Sequence, residues 1–372
     1  MPEESPSMPK VQFIHGEFPN PDLDVSKVIR RLSDYWFRLQ DKRRLSIEPD
    51  SQPEADVLFD HKVIRDDLPK AVQIRISRWA HKINRNHRKN TQIARLPDRD
   101  REFLEACRSG IDLSDLASEH QADEIAAELH AEFPWLGEAT ECVWKGLRQS
   151  FREGRKGACI SPMLLDGPPG IGKSAWARRL AHLLQTPVLR LDATTDNASF
   201  GLVGSQRAWA NGAPGRLLNL MLTKQVANPV VIIDEVEKSG VPTSDKGRAF
   251  SLPDALLPLL EPMTSSHWSC PYFQVEFDMR WVNWVLTSNS HSRLPAPLLS
   301  RLRTIHVPAL SADHMLQFVS REAVRRDLEQ PAQDGVSSAI RWAFSAGHSP
   351  NLRTAIRLLE YAENMQNRPL LH

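Results

Sequence analysis

One stretch limits this chain more than any other: Met163-Leu-Leu-Asp-Gly-Pro-Pro-Gly-Ile-Gly-Lys-Ser174. An apolar run of strand length leads into a glycine-rich turn, and Ala175 to Leu184 then continue with helical spacing of their apolar residues. From Gly167 to Ser174 the residues fit G-x-x-x-x-G-K-[ST]. Each part of that order has a chemical reason. Glycines let the turn present consecutive backbone N–H groups to a polyphosphate, and the helix that follows adds the partial positive charge of its N-terminus. Lys173 has the reach for β- and γ-phosphates, and the Ser174 hydroxyl is a ligand for Mg²⁺. The predicted nucleotide-binding residues are therefore Gly167, Pro168, Pro169, Gly170, Ile171, Gly172, Lys173 and Ser174, with ATP and Mg²⁺ as the cofactors implied.

A second stretch supports the first. Pro229-Val-Val-Ile-Ile-Asp-Glu235 is an apolar run ending in two carboxylates. Such a run suits a strand of a parallel sheet buried on both faces. Its last residues would emerge at the carboxyl edge of that sheet, beside the phosphate loop. Asp234 then serves as the second Mg²⁺ residue with Ser174, and Glu235 orients and polarises an attacking water. The bland alternative is a strand capped by a solvated acidic pair. The loop upstream favours the nucleotide reading.

The length of 372 residues allows two or three domains. A formal charge of +1 gives no whole-molecule attraction to nucleic acid or membrane. Cys107, Cys142, Cys159 and Cys270 are scattered without C-x-x-C spacing, so they read as buried thiols in a reducing compartment. The N-terminal MPEESPSMPK has no apolar signal core, and no run approaches membrane-spanning length. A cytoplasmic protein with no membrane partner is expected.

Along the chain, residues 1–20 are Pro- and Ser-rich and read as a loose N-terminal segment. Residues 21–125 read as a mostly helical N-terminal domain. Val25, Val28, Ile29, Leu32, Tyr35, Trp36 and Leu39 recur at helical spacing, and Asp41 to Pro53 reads as a charged linker. Residues 62–95 hold ten Lys or Arg against two acids, with Trp79 among them and a mixed apolar periodicity. That stretch is a nucleic-acid contact, the solvated face of a small helical domain, or a surface matching an acidic partner. Arg101 to Leu129 look helical with a break at Gly110, Phe133-Pro-Trp-Leu136 is a compact turn, and a helix through Trp144 and Phe151 follows. Residues 126–309 then alternate strands and helices, with apolar runs at Val188–Leu191 and Trp281–Thr287. From 310 to 372 only helical patterns occur, with Ser311 as an N-cap. This order predicts an α/β fold: a three-layer αβα phosphate-loop domain with a C-terminal helical lid.

These residues resemble an AAA+ ATPase, and more narrowly the ATPase module of the Lon protease family, from about Leu164 to Leu359. Gly204-Ser-Gln-Arg-Ala-Trp-Ala-Asn-Gly-Ala-Pro-Gly-Arg216 is similar to a conserved loop of that family, and Asn228 to Lys238 is similar to its Walker B strand. Val275-Glu-Phe-Asp278, Val285-Leu-Thr-Ser-Asn289 and Pro297-Leu-Leu-Ser-Arg301 are similar to its sensor-1 and arginine-finger region. The resemblance implies Asn289 as sensor 1, helping Glu235 hold the lytic water. It implies Arg301 as the finger reaching a neighbouring subunit's γ-phosphate, with Arg303 as the alternative, and Arg353 as sensor 2 on the lid. Trp209 falls at the pore-loop aromatic that grips an extended polypeptide, and Ala210 stands where the family has a larger aliphatic residue. The chain ends at His372, just past the lid, whereas the family continues into a Ser–Lys protease domain. The expectation is thus an ATPase that does not itself cut peptides.

The function predicted is Mg²⁺-dependent ATP hydrolysis by a homo-oligomer, a hexamer, that remodels or translocates a polypeptide for itself or a separate effector. Two other classes stay open at this point. One is a nucleic-acid-dependent ATPase using residues 62–95, and the other is a nucleotide-gated scaffold.

Overall fold

The computed structural model describes residues 8–47, 68–194, 199–208, 212–239 and 251–367. Four of the apolar runs become parallel strands, and a fifth joins them. β1 (Met163–Asp166), β2 (Val188–Asp192), β3 (Val230–Asp234), β4 (Asn283–Ser288) and β5 (Arg303–His306) form one sheet in the order β5-β1-β4-β3-β2. β1, β3 and β4 are buried at every position, which is why their central residues read as apolar runs. β2, at one edge, alternates exposed and covered residues. β5, at the other edge, buries only Ile305 fully, so its sequence carries no strand signal. The register aligns Asp166 of β1 with Ser288 of β4 and His306 of β5, and Asp192 of β2 with Asp234 of β3. All five strands therefore end together at one edge, where backbone groups and polar side chains emerge.

The chain divides into two units, one of residues 16–108 and the other of residues up to 15 and from 109 onward. The first holds α1 (Val25–Ile47), α2 (Lys70–Asn90) and α3 (Asp98–Glu105). The second holds the sheet with α4 (Glu119–Glu132), α5 (Gly137–Arg152), α6 (Lys173–Leu183), α7 (Arg216–Lys224) and α8 (Leu252–Leu260), and then α9 (Ala312–Arg325), α10 (Gln330–Ser345) and α11 (Leu352–Gln366). The last three pack on one another as a helical block. Side chains cap four of these helices: Ser118, Ser251, Ser311 and Asn351 each accept from a backbone N–H in the first turn. One core joins sheet, flanking helices and terminal block, running from Leu129 and Leu147 through Trp176, Leu180, Ile232 and Val285 to Met315, Ile340 and Leu359. Trp176 is fully buried and its indole N–H finds Thr140 Oγ1 at 3.1 Å, so its polar end is satisfied. No helix among the described residues is long and apolar enough to cross a membrane.

Two buried asparagines hold the amino ends of the central strands. Asn228, just before β3, exchanges hydrogen bonds with both backbone groups of Ser114 (2.9 and 2.8 Å) and donates to Ala158 O. Asn283, the first residue of β4, accepts from Ile160 N (2.8 Å) and donates to Ala158 O and Asn228 O. Together they close the backbone of an irregular segment against the sheet, which a buried loop requires.

The structure divides the chain at other points than the sequence suggests. Residues 8–15 are not a loose lead-in: Lys10–Val11 pair antiparallel with Ile111–Asp112, and Ile14–His15 pair with Glu276–Phe277. Phe13 and Ile14 are buried. Two-residue strands are too short to show periodicity, and their partners lie far along the chain. The boundary expected near residue 125 falls instead at 108, because α4 packs on α5 and α6 and belongs with the sheet. The linker expected from Asp41 is helical as far as Ile47, and residues 48–53 lie outside the described residues. Of the basic stretch 62–95, residues 62–67 lie outside the described residues, and Lys70–Asn90 is one helix. Its periodicity is mixed because apolar residues point both ways: Ala80 is buried while Ile74 and Trp79 are exposed.

Candidate functional site

The phosphate loop leaves β1 at Asp166 and enters α6 at Lys173. Gly170 and Gly172 have φ of +77° and +94°, a region that side chains with a Cβ avoid. At Gly167 the need is space: a Cβ would stand 2.2 Å from the Val307 carbonyl oxygen. The three glycines are thus required by the path of the backbone itself. No side chain caps the first turn of α6, whose N-cap is Gly172. Its leading N–H groups have no intrahelical acceptor and are donors of the kind an anion takes.

Lys173 is buried, and its ammonium donates to the carbonyl oxygens of Gly167 (2.5 Å) and Pro168 (2.9 Å), with Asn289 Oδ1 at 3.4 Å. Burial pushes its pKa below the ordinary lysine value, against the pull of Glu237, Asp166, Glu235 and Asp234. Beside it, Ser174 Oγ donates to Asp234 Oδ1. The same oxygen accepts from Thr287 Oγ1 (3.2 Å), and Asp234 Oδ2 meets Arg190 Nε at 2.6 Å. A hydroxyl and a buried carboxylate in contact, next to the helix start that no side chain caps, are hard oxygen ligands that fit Mg²⁺.

Glu235 follows Asp234 with φ of +54°, rare for a residue with a side chain. That turn swings its carboxylate out of the strand direction. Its N–H bonds Thr287 Oγ1 (3.2 Å), Oε1 accepts from Asn289 Nδ2 at 3.4 Å, and Oε2 accepts from Lys238 Nζ at 2.8 Å. The Lys238 pKa is raised by that hydrogen bond. Asn289 is itself fixed, its backbone N–H donating to Glu237 Oε1 at 3.0 Å. β4, which carries Thr287 and leads into Asn289, lies between β1 and β3. It therefore reaches both the loop lysine and the acidic pair.

The loop is held from two sides. Trp135, in a short 3₁₀ turn before α5, donates its indole N–H to Ile171 O at 2.8 Å. From the terminal block, Leu352 N donates to Gly170 O at 3.0 Å, and the Leu352 side chain lies where a Cβ on Gly172 would meet it at 3.1 Å. Arg353 is the next residue of α11 and is exposed. Arg301 stands apart from this cluster: it donates to Pro297 O (2.8 Å) and its Nε lies 3.1 Å from Glu261. Arg303 opens β5 at the sheet edge and is exposed. Trp209 and Ala210 lie outside the described residues. The chain flanking them closes on itself, with Ser205 N donating to Ala213 O at 3.0 Å.

The motifs did not point to Arg190, Thr287, Lys238 or Trp135. Arg190 carried a signal, a charge inside the otherwise apolar run Val188–Leu191. Thr287 and Lys238 sit within the quoted motifs but match ordinary polar residues. Trp135 needed the tertiary contact.

The geometry agrees with what comparison finds. Residues 163–309 match the family model described as ATPase family associated with various cellular activities (AAA). The chain therefore carries an AAA-family domain. That domain resembles the ATPase module of the Lon proteases. The chain is 31% identical over 164 residues to peroxisomal Lon protease homolog 2 of Oryza sativa subsp. indica, covering 44% of this chain and 18% of that protein. The human peroxisomal Lon protease homolog 2 is also 31% identical over 164 residues, 19% of its length. Lon protease of Borrelia duttonii is 29% identical over 184 residues, 50% of this chain and 22% of that protein. The chain thus spans about a fifth of the length of the curated relatives it matches.

Proposed function

We propose that this chain is a Mg²⁺-dependent ATPase, working in the cytoplasm as a homo-hexamer, that uses hydrolysis to pull or remodel a polypeptide. One observation carries the reading: the phosphate loop, the Ser174–Asp234 contact and the Glu235–Asn289 pair converge on one edge of the parallel sheet. The triphosphate would take the loop amides and the start of α6, and Lys173 would turn its donors from its own loop carbonyls to the β- and γ-phosphates. Ser174 and Asp234 would hold Mg²⁺, which when bound offsets the charge on the phosphate oxygens.

Glu235, aimed by Asn289, would accept a proton from the attacking water as its oxygen bonds the γ-phosphorus. The bond to the β–γ bridging oxygen breaks, leaving ADP and phosphate. Lys238 occupies the second oxygen of Glu235, so this ion pair must open or turn before that oxygen takes a proton. Arg301 would leave Glu261 to meet a neighbour's γ-phosphate, and Arg353 would approach from the terminal block. Such guanidinium contacts are worth roughly 10³–10⁵ in rate. Trp209 and Ala210 would face the polypeptide.

The test is ATP hydrolysis by the purified protein alone, with an unfolded model protein, and with single- and double-stranded DNA. Glu235→Gln is expected to bind nucleotide normally while kcat falls by at least about 10²-fold, as loss of a general base implies. Stimulation by the unfolded protein that disappears in Trp209→Ala supports the remodelling motor. Stimulation by DNA alone would replace it with a nucleic-acid-dependent ATPase acting through residues 62–95. Hydrolysis no faster than in Glu235→Gln under every condition would sink both motors and leave a nucleotide-gated scaffold.

A further inference from the structure

At the same edge of the sheet, but on its β5 side, three side chains form a cluster that the nucleotide reading leaves unused. Asp166 ends β1, His306 ends β5, and His291 begins the short turn that follows β4. Asp166 and His306 are direct cross-strand partners in the parallel register. Both imidazoles aim Nδ1 at the same carboxylate oxygen: His291 Nδ1 is 2.7 Å from Asp166 Oδ2 and His306 Nδ1 is 3.3 Å from it. One ligand atom from each residue lies within 4.8 Å of the other two. Asp166 is only 8% exposed, and its other oxygen, Oδ1, is buried with no hydrogen-bond partner among the described residues.

The geometry points to a binding site for a divalent transition-metal ion, Zn²⁺ by its ligand set, held by Asp166, His291 and His306. Hydrogen bonding alone accounts poorly for the arrangement. It asks two imidazoles to share one acceptor oxygen while a buried lone pair next to it goes unused, a loss of roughly 1–3 kcal/mol. A cation between the three residues takes a lone pair from each imidazole and one from the carboxylate, and explains why both rings turn the same nitrogen inward. Two imidazoles and a carboxylate are a common zinc set, with bonds of about 2.0–2.2 Å and a fourth position left for water. Tetrahedral ligands at that radius stand roughly 3.4 Å apart. The His306 separation already matches, and His291, on a partly exposed turn, has to withdraw by well under 1 Å. His306 is 67% exposed, so an ion enters from solvent and water completes the shell. The strands fix two of the three ligands without the metal. Since Asp166 directly precedes Gly167, the ion would sit at the root of the phosphate loop.

The experiment titrates Zn²⁺ into the metal-stripped full chain, without nucleotide, against a chromophoric chelator. One equivalent is expected to bind the wild type. Affinity should fall at least about tenfold in His306→Ala and in His291→Ala, and be unchanged in Asp234→Asn. Co²⁺ in place of Zn²⁺ should give a visible tetrahedral absorption band that His306→Ala abolishes. Thermal unfolding of the metal-free variants, matching that of the metal-free wild type, keeps the loss attributable to the site, and the two histidine variants check each other. Zinc bound with wild-type affinity by both histidine variants, an equivalent lost in Asp234→Asn, or no binding by the wild type would each overturn the site.

Discussion

Replacing Gly170 with alanine tests the idea that the phosphate loop and the terminal helical block are built as one unit. Gly170 has φ of +77°, and a Cβ there would lie 2.9 Å from Asn351 Cγ and 3.0 Å from its Cβ and Nδ2. Asn351 has a task of its own, since its Oδ1 accepts from Thr354 N at 3.0 Å and caps α11. The left-handed backbone costs alanine roughly 1–2 kcal/mol. About 0.4–1 kcal/mol returns because the unfolded chain loses freedom. Displacing the cap adds roughly 0.5–2 kcal/mol. A net destabilisation of roughly 1–3 kcal/mol is expected, read from urea unfolding at constant m-value. Nucleotide affinity should fall as well, because Leu352 N–H bonds the carbonyl of the same glycine. Adding Asn351→Ser keeps a capping oxygen, removes Nδ2 from the crowded contact and puts the smaller Oγ in place of Cγ, so the double variant should recover part of the loss. Gly170→Ala as stable as the wild type within about 0.5 kcal/mol, or no recovery in the double variant, would refute the reasoning.

Two further outcomes follow from buried groups. Asn228→Ala strands both backbone groups of Ser114 and should destabilise the fold by roughly 2–4 kcal/mol, with unfolding measured by denaturant; a cost below about 1 kcal/mol would mean that water replaces the amide. Burial pushes the thiols of Cys159 and Cys270 up to about 11 from 9.0. A raised folded pKa means that the folded protein holds these protons more tightly, so their contribution is full below pH 9 and is lost as pH rises from about 9 to about 11. Unfolding measured across that window should show stability falling with pH, and Cys270→Ala should shallow the slope.

The α/β class and the phosphate-loop domain were legible because their signals are local. Buried parallel strands must be continuously apolar, and a polyphosphate turn must be glycine-rich, so β1, β3 and β4 are written in consecutive residues. The helical block after 310 was legible from periodicity and from the Ser311 cap. β5 was not, since an edge strand with one buried residue needs no apolar run. Nor were the strands at Lys10–Val11 and Ile14–His15, because two residues of pairing are decided by partners about 100 and 260 positions away.

The candidate site divides in the same way. By itself the sequence determined the chemistry on offer: which loop suits phosphate and which carboxylates end a buried strand. Only the tertiary structure decided who meets whom. It inserted β4 between β1 and β3, so that Asn289 lies beside both Lys173 and Glu235. It gave Asp234 the company of Arg190 and Thr287, and tied the loop to Trp135 on one side and Leu352 on the other. It brought His291 and His306 to Asp166 across 125 and 140 positions of chain. The reason is physical. Backbone propensity and burial pattern act over a few neighbouring residues, whereas strand order and register are set by the packing of the whole sheet, and the meeting of distant side chains is settled there.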